Sequence, residues 1–452
     1  MAIVSEKFSE YMAALTEETA PGSDSLVLAL VDGLPKSVSL QNATQLRNGR
    51  LTFAAPTSFC NGAAQQADGK ILLIGQRLTG PGGINEFTVA RVSANGDLDT
   101  SFGTAGFADI IFRSDTVAGE GVHAVVQADG KILAIGWLVT ASDFYVAVAR
   151  LNTDGSLDGT WAATGPTPGM YSSKWGTVNS GFTWFGQLDA NGKLVICGNG
   201  NGTTDPSFIF RFNTDGSLDS TFGTGGKVTN AAVTSLRYLL IQSDGKILVA
   251  GVAAGGAILA RYSALGVLDS GFGSSGTITE TFASITAPAF NGILIQSTGK
   301  IVAGGSGTSG GFGHQVMARY AAANGAIDTT FGVSGRVDQL LGTAWYASPR
   351  LLGEDDSIIA SGTLALTTDQ SETAFAMSKH RADGVLDKSW GASGLVTINM
   401  NGQVNAGASA GPYEFGSKLF LPGQRQTGGI YRWAFYQSNK YGEPDPTFGD
   451  LL

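Results

Sequence analysis

The chain has 452 residues, 65 of them glycine, with 43% hydrophobic and 14% charged residues and a formal net charge of −9. That apolar share excludes global disorder, and so much glycine with so few charges excludes a predominantly helical protein. The acidic balance, with no cluster of Lys and Arg, excludes a nucleic-acid surface.

At the N-terminus, MAIVSEKFSEY lacks a basic region followed by an apolar run, so no signal peptide is expected. The longest apolar stretch, SLVLALV, is too short to span a bilayer, so no membrane insertion is expected. Phe8, Tyr11, Met12 and Leu15 stand at i, i+3, i+4 and i+7 and predict a short amphipathic helix, ended by Ala20-Pro21-Gly22. Such a helix is marginal alone in water, so its apolar face is expected to dock on a partner. SLVLALVDGLPKSVSLQNATQL reads as a hairpin around Asp32-Gly33. Residues 1–45 are therefore expected to form an anchoring leader, and residues 46–452 a second body.

That second body is repetitive. An aspartate followed three residues later by an aromatic recurs at Asp99/Phe102, Asp158/Trp161, Asp219/Phe222, Asp269/Phe272, Asp328/Phe331, Asp387/Trp390 and Asp445/Phe448. In phase with it runs a turn, Asp-Gly-Lys at its cleanest, ending at Lys70, Lys131, Lys193, Lys246, Lys300, Ser357 and Lys418. Each unit reads as four short strands, for example RYLLIQ, ILVAG, ILARY and TITETF, rich in β-branched and aromatic residues. Antiparallel four-stranded units at this spacing predict a seven-bladed, all-β propeller. The last unit reaches Phe448 without a fourth strand, and residues 50–54 are expected to supply it, closing the ring.

Most residues that attract a chemical reading have a plainer one. The repeated aspartate is expected to fix its turn and the aromatic to plug between blades. The lysines after the turns are expected to serve solubility, and Asp355-Asp356 to form a solvated turn. Cys60 and Cys197 fall on different strands and are expected to be small buried residues, without a disulfide. Gly407-Ala408-Ser409-Ala410-Gly411 matches a nucleophile elbow but lacks the strand-to-helix context. His123, His314 and His380 occupy unrelated positions and imply no metal triad. No catalytic residue, cofactor or metal is expected. What varies between units is more telling. The insertion 162–176 brings Tyr171 and Trp175, and another loop brings Trp345 and Tyr346. These four suit stacking on a glycan or packing on a partner subunit, or else tuck under their loops to pin them.

QSDGKILVAGVAAGGAILARYSALGVLDSGFG and QADGKILAIGWLVTASDFYVAVARLNTDGSLD resemble the delta-60 repeat, a β-propeller repeat of bacterial surface and phage proteins. The leader GSDSLVLALVDGLPKSVSL is similar to N-terminal segments of phage tail fibres. Together these resemblances imply a non-enzymatic virion protein, assembled in the host cytoplasm. Its leader would bind other virion proteins, and its propeller would face a host-surface glycan or protein, as a single copy or a homo-oligomer. The alternatives are a stand-alone bacterial carbohydrate- or protein-binding propeller and a glycan hydrolase.

Overall fold

The computed structural model describes residues 27–31, 34–38, 43–46, 50–53, 58–79, 84–177, 182–200, 206–230, 233–341, 348–352, 355–367, 372–399, 403–405, 412–427, 430–445 and 448. All regular structure among them is β. Each repeat follows one recipe. A strand runs into the Asp-Gly-Lys turn, where Gly245 at φ +81° illustrates the left-handed residue the turn demands. Gln242 N donates to Lys246 O at 2.8 Å, and Asp244 Oδ1 accepts from Lys246 N at 3.1 Å. The second and third strands, such as Ile247–Ala253 and Ser207–Phe212, are buried along almost their whole length. They read as continuous apolar runs because neighbouring sheets cover both of their faces.

Four sheets are stand-alone and four-stranded: 182–230, 233–280, 286–340 and 348–398. Their innermost strands pack side by side around an axis. Ser58–Gln65 lies beside Ala118–Val126, followed by Phe182–Leu188, Val233–Ile241, Thr286–Ile295, Ser348–Leu352 and Tyr413–Phe415, which returns to Ser58–Gln65. The core lies between the sheets. One cluster joins Leu236, Leu259 and Phe272 to Phe290 and Tyr320 of the following repeat.

Arg50–Phe53 pairs antiparallel with Ile430–Asn439, in the register Thr52↔Ala434, Leu51↔Phe435 and Arg50↔Tyr436. Ala43–Leu46 adds outside it. Trp433, buried in this sheet, donates its Nε1 proton to Gln76 O of the first repeat at 3.1 Å.

The expectation of a seven-bladed propeller of four-stranded blades behind a helix is corrected: the described strands of the ring form six sheets, not seven four-stranded ones. The first two repeats share one eight-stranded sheet, because Asn85 bridges Ala118 in parallel where the long strands Ile84–Val92 and Ala118–Val126 start together. The last sheet has six strands, since two short segments, Gln403–Asn405 and Tyr413–Phe415, both pair with Lys418–Thr427. No helix occurs among the described residues, and the expected one, with Phe8, Tyr11, Met12 and Leu15, lies outside them. Val27–Val31 and Leu34–Val38 form a hairpin with Val31 opposite Leu34, a sheet of its own. The boundary expected at residue 45 falls within Ala43–Leu46, a strand of the ring.

Candidate functional site: interblade clusters and the axial cavity

The repeated aspartate sits where three signals meet. Asp219 Oδ1 accepts from Thr221 N at 3.1 Å and Thr221 Oγ1 at 2.7 Å, which fixes the turn. Its Oδ2 accepts from Arg211 Nε at 2.7 Å and Lys193 Nζ at 2.8 Å. Arg211 ends the third strand and Lys193 ends the Asp-Gly-Lys turn, so the carboxylate ties three segments of one repeat together. The same pair of cations meets Asp99, Asp158, Asp269 and Asp328. Burial alone would raise the Asp219 carboxyl, but Lys193, Thr221 and Arg211 outweigh it and hold it well below the usual carboxylate range. The lysines expected to serve solubility are therefore corrected to ion-pair partners.

The arginine also reaches across the blade boundary. Arg211 Nη1 donates to Ala264 O of the next repeat, and its guanidinium lies 4.6 Å from the centroid of the Phe222 ring. Arg150 donates to Thr214 O at 3.2 Å and Arg319 to Ala382 O at 2.7 Å in the same way. The aromatic then slides beneath the glycine of the following turn. A Cβ on Gly266 would stand 2.9 Å from Phe222 Cε2, so only glycine admits the ring so closely. Gly223 N donates to Leu265 O at 2.9 Å and completes the staple. The expected plug between blades is thus in place. Asp355-Asp356 forms a turn at the surface, and Asp356 also accepts from Ser297 N at 2.8 Å and Ser297 Oγ at 2.6 Å in the preceding repeat.

The variable aromatics are placed differently from an exposed contact patch. Tyr171 packs edge-on against Phe212 with centroids 4.8 Å apart. Trp175 packs on Phe208 and Phe210 at 5.0 and 5.2 Å and donates to Pro206 O at 3.0 Å. Both are half-buried and pin the second repeat's outer strand, Met170–Thr177, against the third sheet. Trp345 and Tyr346 lie outside the described residues, as does Gly407–Gly411. Of the histidines, His314 Nδ1 stands 2.6 Å from Asp338 Oδ1. His380 is buried, with Nδ1 3.1 Å from Gly384 O and Nε2 2.9 Å from the Gln315 side chain. Neutral imidazole donates from one nitrogen only, so Nδ1–H serves the carbonyl and Nε2 accepts from the Gln315 amide turned to suit. Burial pushes this imidazole down to about 4. The two cysteines are buried free thiols.

The third histidine marks a region that sequence reasoning missed. A cavity of about 420 Å³ lies against the innermost strands, lined by His123, Phe185, Gln187, Tyr238 and Tyr413, among others. His123, Phe185 and Tyr238 come from successive repeats, each eight residues before the lysine of its turn, and they stack as an arc. The ring centroids are 4.1 Å apart for His123 and Phe185, and 4.3 Å for Phe185 and Tyr238. One residue earlier, five of the innermost strands carry a β-bulge, at Asn61, Val122, Trp184, Arg237 and Asn291. Bulges re-aim side chains and gather at functional sites. Asn61 Nδ2 donates to the Glu120 carboxylate and, at 2.9 Å, to Gly121 O on the next innermost strand. Arg237 Nη1 donates to Asn291 Oδ1 at 2.8 Å, again across a blade boundary. Burial pushes the Glu120 carboxyl up to about 7 against the opposing Asn61 bond, and burial also lowers Arg237. The available sequence signal was positional: counting back from each turn lysine lines these residues up, although their types differ.

A β-propeller family model described as a domain of unknown function (DUF5122) matches residues 66–102, 127–160, 190–222, 242–272 and 296–331. Five DUF5122 repeats are found. Four of the five matches run from the first turn to the aromatic of the staple and the second stops one residue short of Trp161, so the family's repeat and the structural staple coincide closely. No curated protein matches the sequence. Among solved structures, the chain is similar to an unknown-function protein from Dyadobacter fermentans, at 11% identity and TM-score 0.41, covering 88% of this chain and 98% of that one. It is also similar to a PL25 ulvan lyase, at 8% identity and TM-score 0.48, over 86% and 95% of the two chains. A Trypanosoma rangeli sialidase matches at 11% identity and TM-score 0.39, with 91% of this chain spanning 56% of the sialidase.

Proposed function

We propose that the protein is a non-enzymatic display and binding propeller of a phage virion, a tail fibre or comparable appendage. The leader docks on other virion proteins, and the ring presents its cavity and loops to a host-surface glycan or protein. The observation that carries this reading is the fate of the repeated carboxylates. Asp99, Asp158, Asp219, Asp269 and Asp328 are each saturated by two cations of their own repeat, so the most repeated acid in the chain builds the ring and is not offered to a substrate. A second support is the hairpin of residues 27–38, whose two strands pair with each other and, among the described residues, with no strand of the ring. The resemblances of the repeats to delta-60 units and of the leader to tail-fibre segments supply the virion part.

The glycan-hydrolase reading has one observation in its favour, the Glu120 carboxyl on the innermost strand Ala118–Val126 raised to about 7. Glycoside hydrolysis ordinarily needs a pair of carboxyl groups, and the described residues lining the cavity include no Asp or Glu.

The test is a variant lacking residues 1–42, cut before Ala43–Leu46 so that the ring keeps its closing strands. It is expected to retain the cooperative melting of the full chain and to be lost from assembled particles. Incorporation equal to that of the full chain would refute the virion anchor.

A further inference from the structure

Resting on the reading of the ring as a glycan-binding module, we infer that the wedge between the first and second repeats is a binding site for an amino sugar, a hexosamine with a free amine. The C–H body of the sugar lies on Leu151, Ile110 and Met170, its hydroxyls meet Thr104 and Ser156, and its ammonium meets Asp154.

The wedge is open because one residue is small. In the fourth and fifth repeats the third strand ends on a buried tyrosine, Tyr262 and Tyr320. The Tyr262 hydroxyl accepts from Asn230 Nδ2 at 2.9 Å, and the Tyr320 hydroxyl donates to Glu280 Oε2 at 2.8 Å. Asn230 and Glu280 each end the fourth strand of the preceding repeat, so the tyrosine fills the boundary and bonds across it. In the second repeat the corresponding residue is Leu151, and the strand end opposite it is Ile110. Leucine has neither the ring nor the hydroxyl, and a cavity of about 450 Å³ opens there, within the size range of small-molecule sites. At the next boundary Phe212 takes the same place, and Tyr171 packs edge-on against it.

The lining selects the ligand. Leu151 and Ile110 are buried in its wall with Met170 half-buried, an aliphatic surface for the C–H face of a pyranose. Ser101, Thr104, Asp109, Asp154 and Ser156 form its polar part, and no Lys, Arg or His lines it. Two carboxylates without a lining cation repel phosphates and uronic acids. Asp109 is already matched by Arg77 and accepts from Thr88 Oγ1 at 2.7 Å. Asp154 differs. Its Oδ1 accepts from Ser156 N at 2.9 Å and Ser156 Oγ at 2.6 Å, but among the described residues it makes no ion pair. Its backbone is fixed across the boundary, where Gly103 N donates to Asp154 O at 2.7 Å. A positioned carboxylate without a cation takes an ammonium through a charge-assisted bond, and the Thr104 and Ser156 hydroxyls both donate to and accept from those of a sugar.

The full-length protein is titrated by calorimetry and ligand-observed NMR with D-glucosamine, N-acetyl-D-glucosamine, D-glucose and n-butylamine, at a pH that keeps the amines protonated. Glucosamine is expected to bind, and each of the others at least about 10-fold more weakly. Asp154→Asn should weaken glucosamine at least about 10-fold. Asp215→Asn, in the same turn of the third repeat but at the boundary that Phe212 fills, should leave it unchanged. Leu151→Tyr together with Ile110→Asn rebuilds the Asn230–Tyr262 pair inside the wedge and should abolish binding. Equal binding of glucosamine and its N-acetyl form, butylamine as tight as glucosamine, binding retained by the double variant, or no glucosamine binding up to about 10 mM would overturn the assignment. Should the double variant not fold, the comparison of probes on the unaltered chain decides alone. These titrations use no particles, so their failure leaves the virion anchor standing, and failure of the anchor leaves them unaffected.

Discussion

Replacing Asp219 by alanine removes the acceptor of four donors at once and leaves the Arg211 guanidinium, 9% exposed, without its counter-charge. Stranding one member of a buried ion pair costs roughly 3–5 kcal/mol. Arg211 keeps its bond to Ala264 O and its place over Phe222, which sets the expected loss at the lower end, about 3 kcal/mol. The sixth repeat supplies the control. There Lys379 replaces the arginine at 3.8 Å from Asp387 and both side chains are 20% exposed, so Asp387→Ala should cost only about 1 kcal/mol. Tryptophan fluorescence in urea reads both. With an m-value of about 3 kcal/mol/M, Asp219→Ala should move the midpoint down by about 1 M and Asp387→Ala by about a third of that. Equal shifts would refute the claim that the arginine staple, and not the turn alone, holds adjacent repeats together.

Two buried groups should tilt stability with pH in opposite directions. Glu120, raised to about 7, binds its proton more tightly when folded, so its contribution is full below about 4.5 and is lost as pH rises through 7. His380, lowered to about 4, resists protonation when folded, so its contribution is full above about 6.5 and is lost as pH falls through 4. Each is worth at most about 3 kcal/mol, and they offset one another between pH 4.5 and 6.5. Glu120→Gln should therefore steepen acid destabilisation and His380→Gln should reverse its slope, read as melting temperatures at pH 4.5, 5.5 and 6.5; unchanged slopes would discount both groups. At the glycines under the rings, Gly266→Ala should cost about 3 kcal/mol, since its Cβ would meet Val228 and Phe222 at φ +79°. Gly255→Ala, at φ +98° in open space, should cost about 1 kcal/mol, and equal denaturation midpoints for the two would exclude a tight fit beneath Phe222.

The parts of the fold that recur in type were legible in the sequence. Asp219 with Phe222, the Gly245 turn and the strand at Arg50–Phe53 announce themselves because each position demands one kind of residue. The fusion of the first two repeats was not legible, because it depends on how far Ile84–Val92 and Ala118–Val126 extend, and strand ends leave little trace in residue type. The role of Lys193 was hidden for another reason: the nearest acid in sequence is Asp189, four residues before it, but its partner Asp219 is 26 residues away. The cavity was hardest to see. Asn61, Val122, Trp184, Arg237 and Asn291 share a backbone position and no chemistry, so a search for repeated types passes over the place where the repeats differ. Tyr171 and Trp175 drew attention by being unrepeated, yet their rings are spent on Phe208, Phe210 and Phe212.

The pairing of Arg50–Phe53 with Ile430–Asn439 has a consequence for biosynthesis. A ribosome adding about 5–20 residues per second needs roughly 20–80 s to travel from Thr52 to its partner Ala434. Through most of that interval the early strand is outside the tunnel with Ala43–Leu46 on one edge and no native neighbour on the other. An unpaired strand accepts any compatible edge, and when many ribosomes translate one message the nearest such edge belongs to a sister chain further along. Crowded polysomes therefore favour rings latched by one another's strands, whereas sparse translation favours rings that latch themselves.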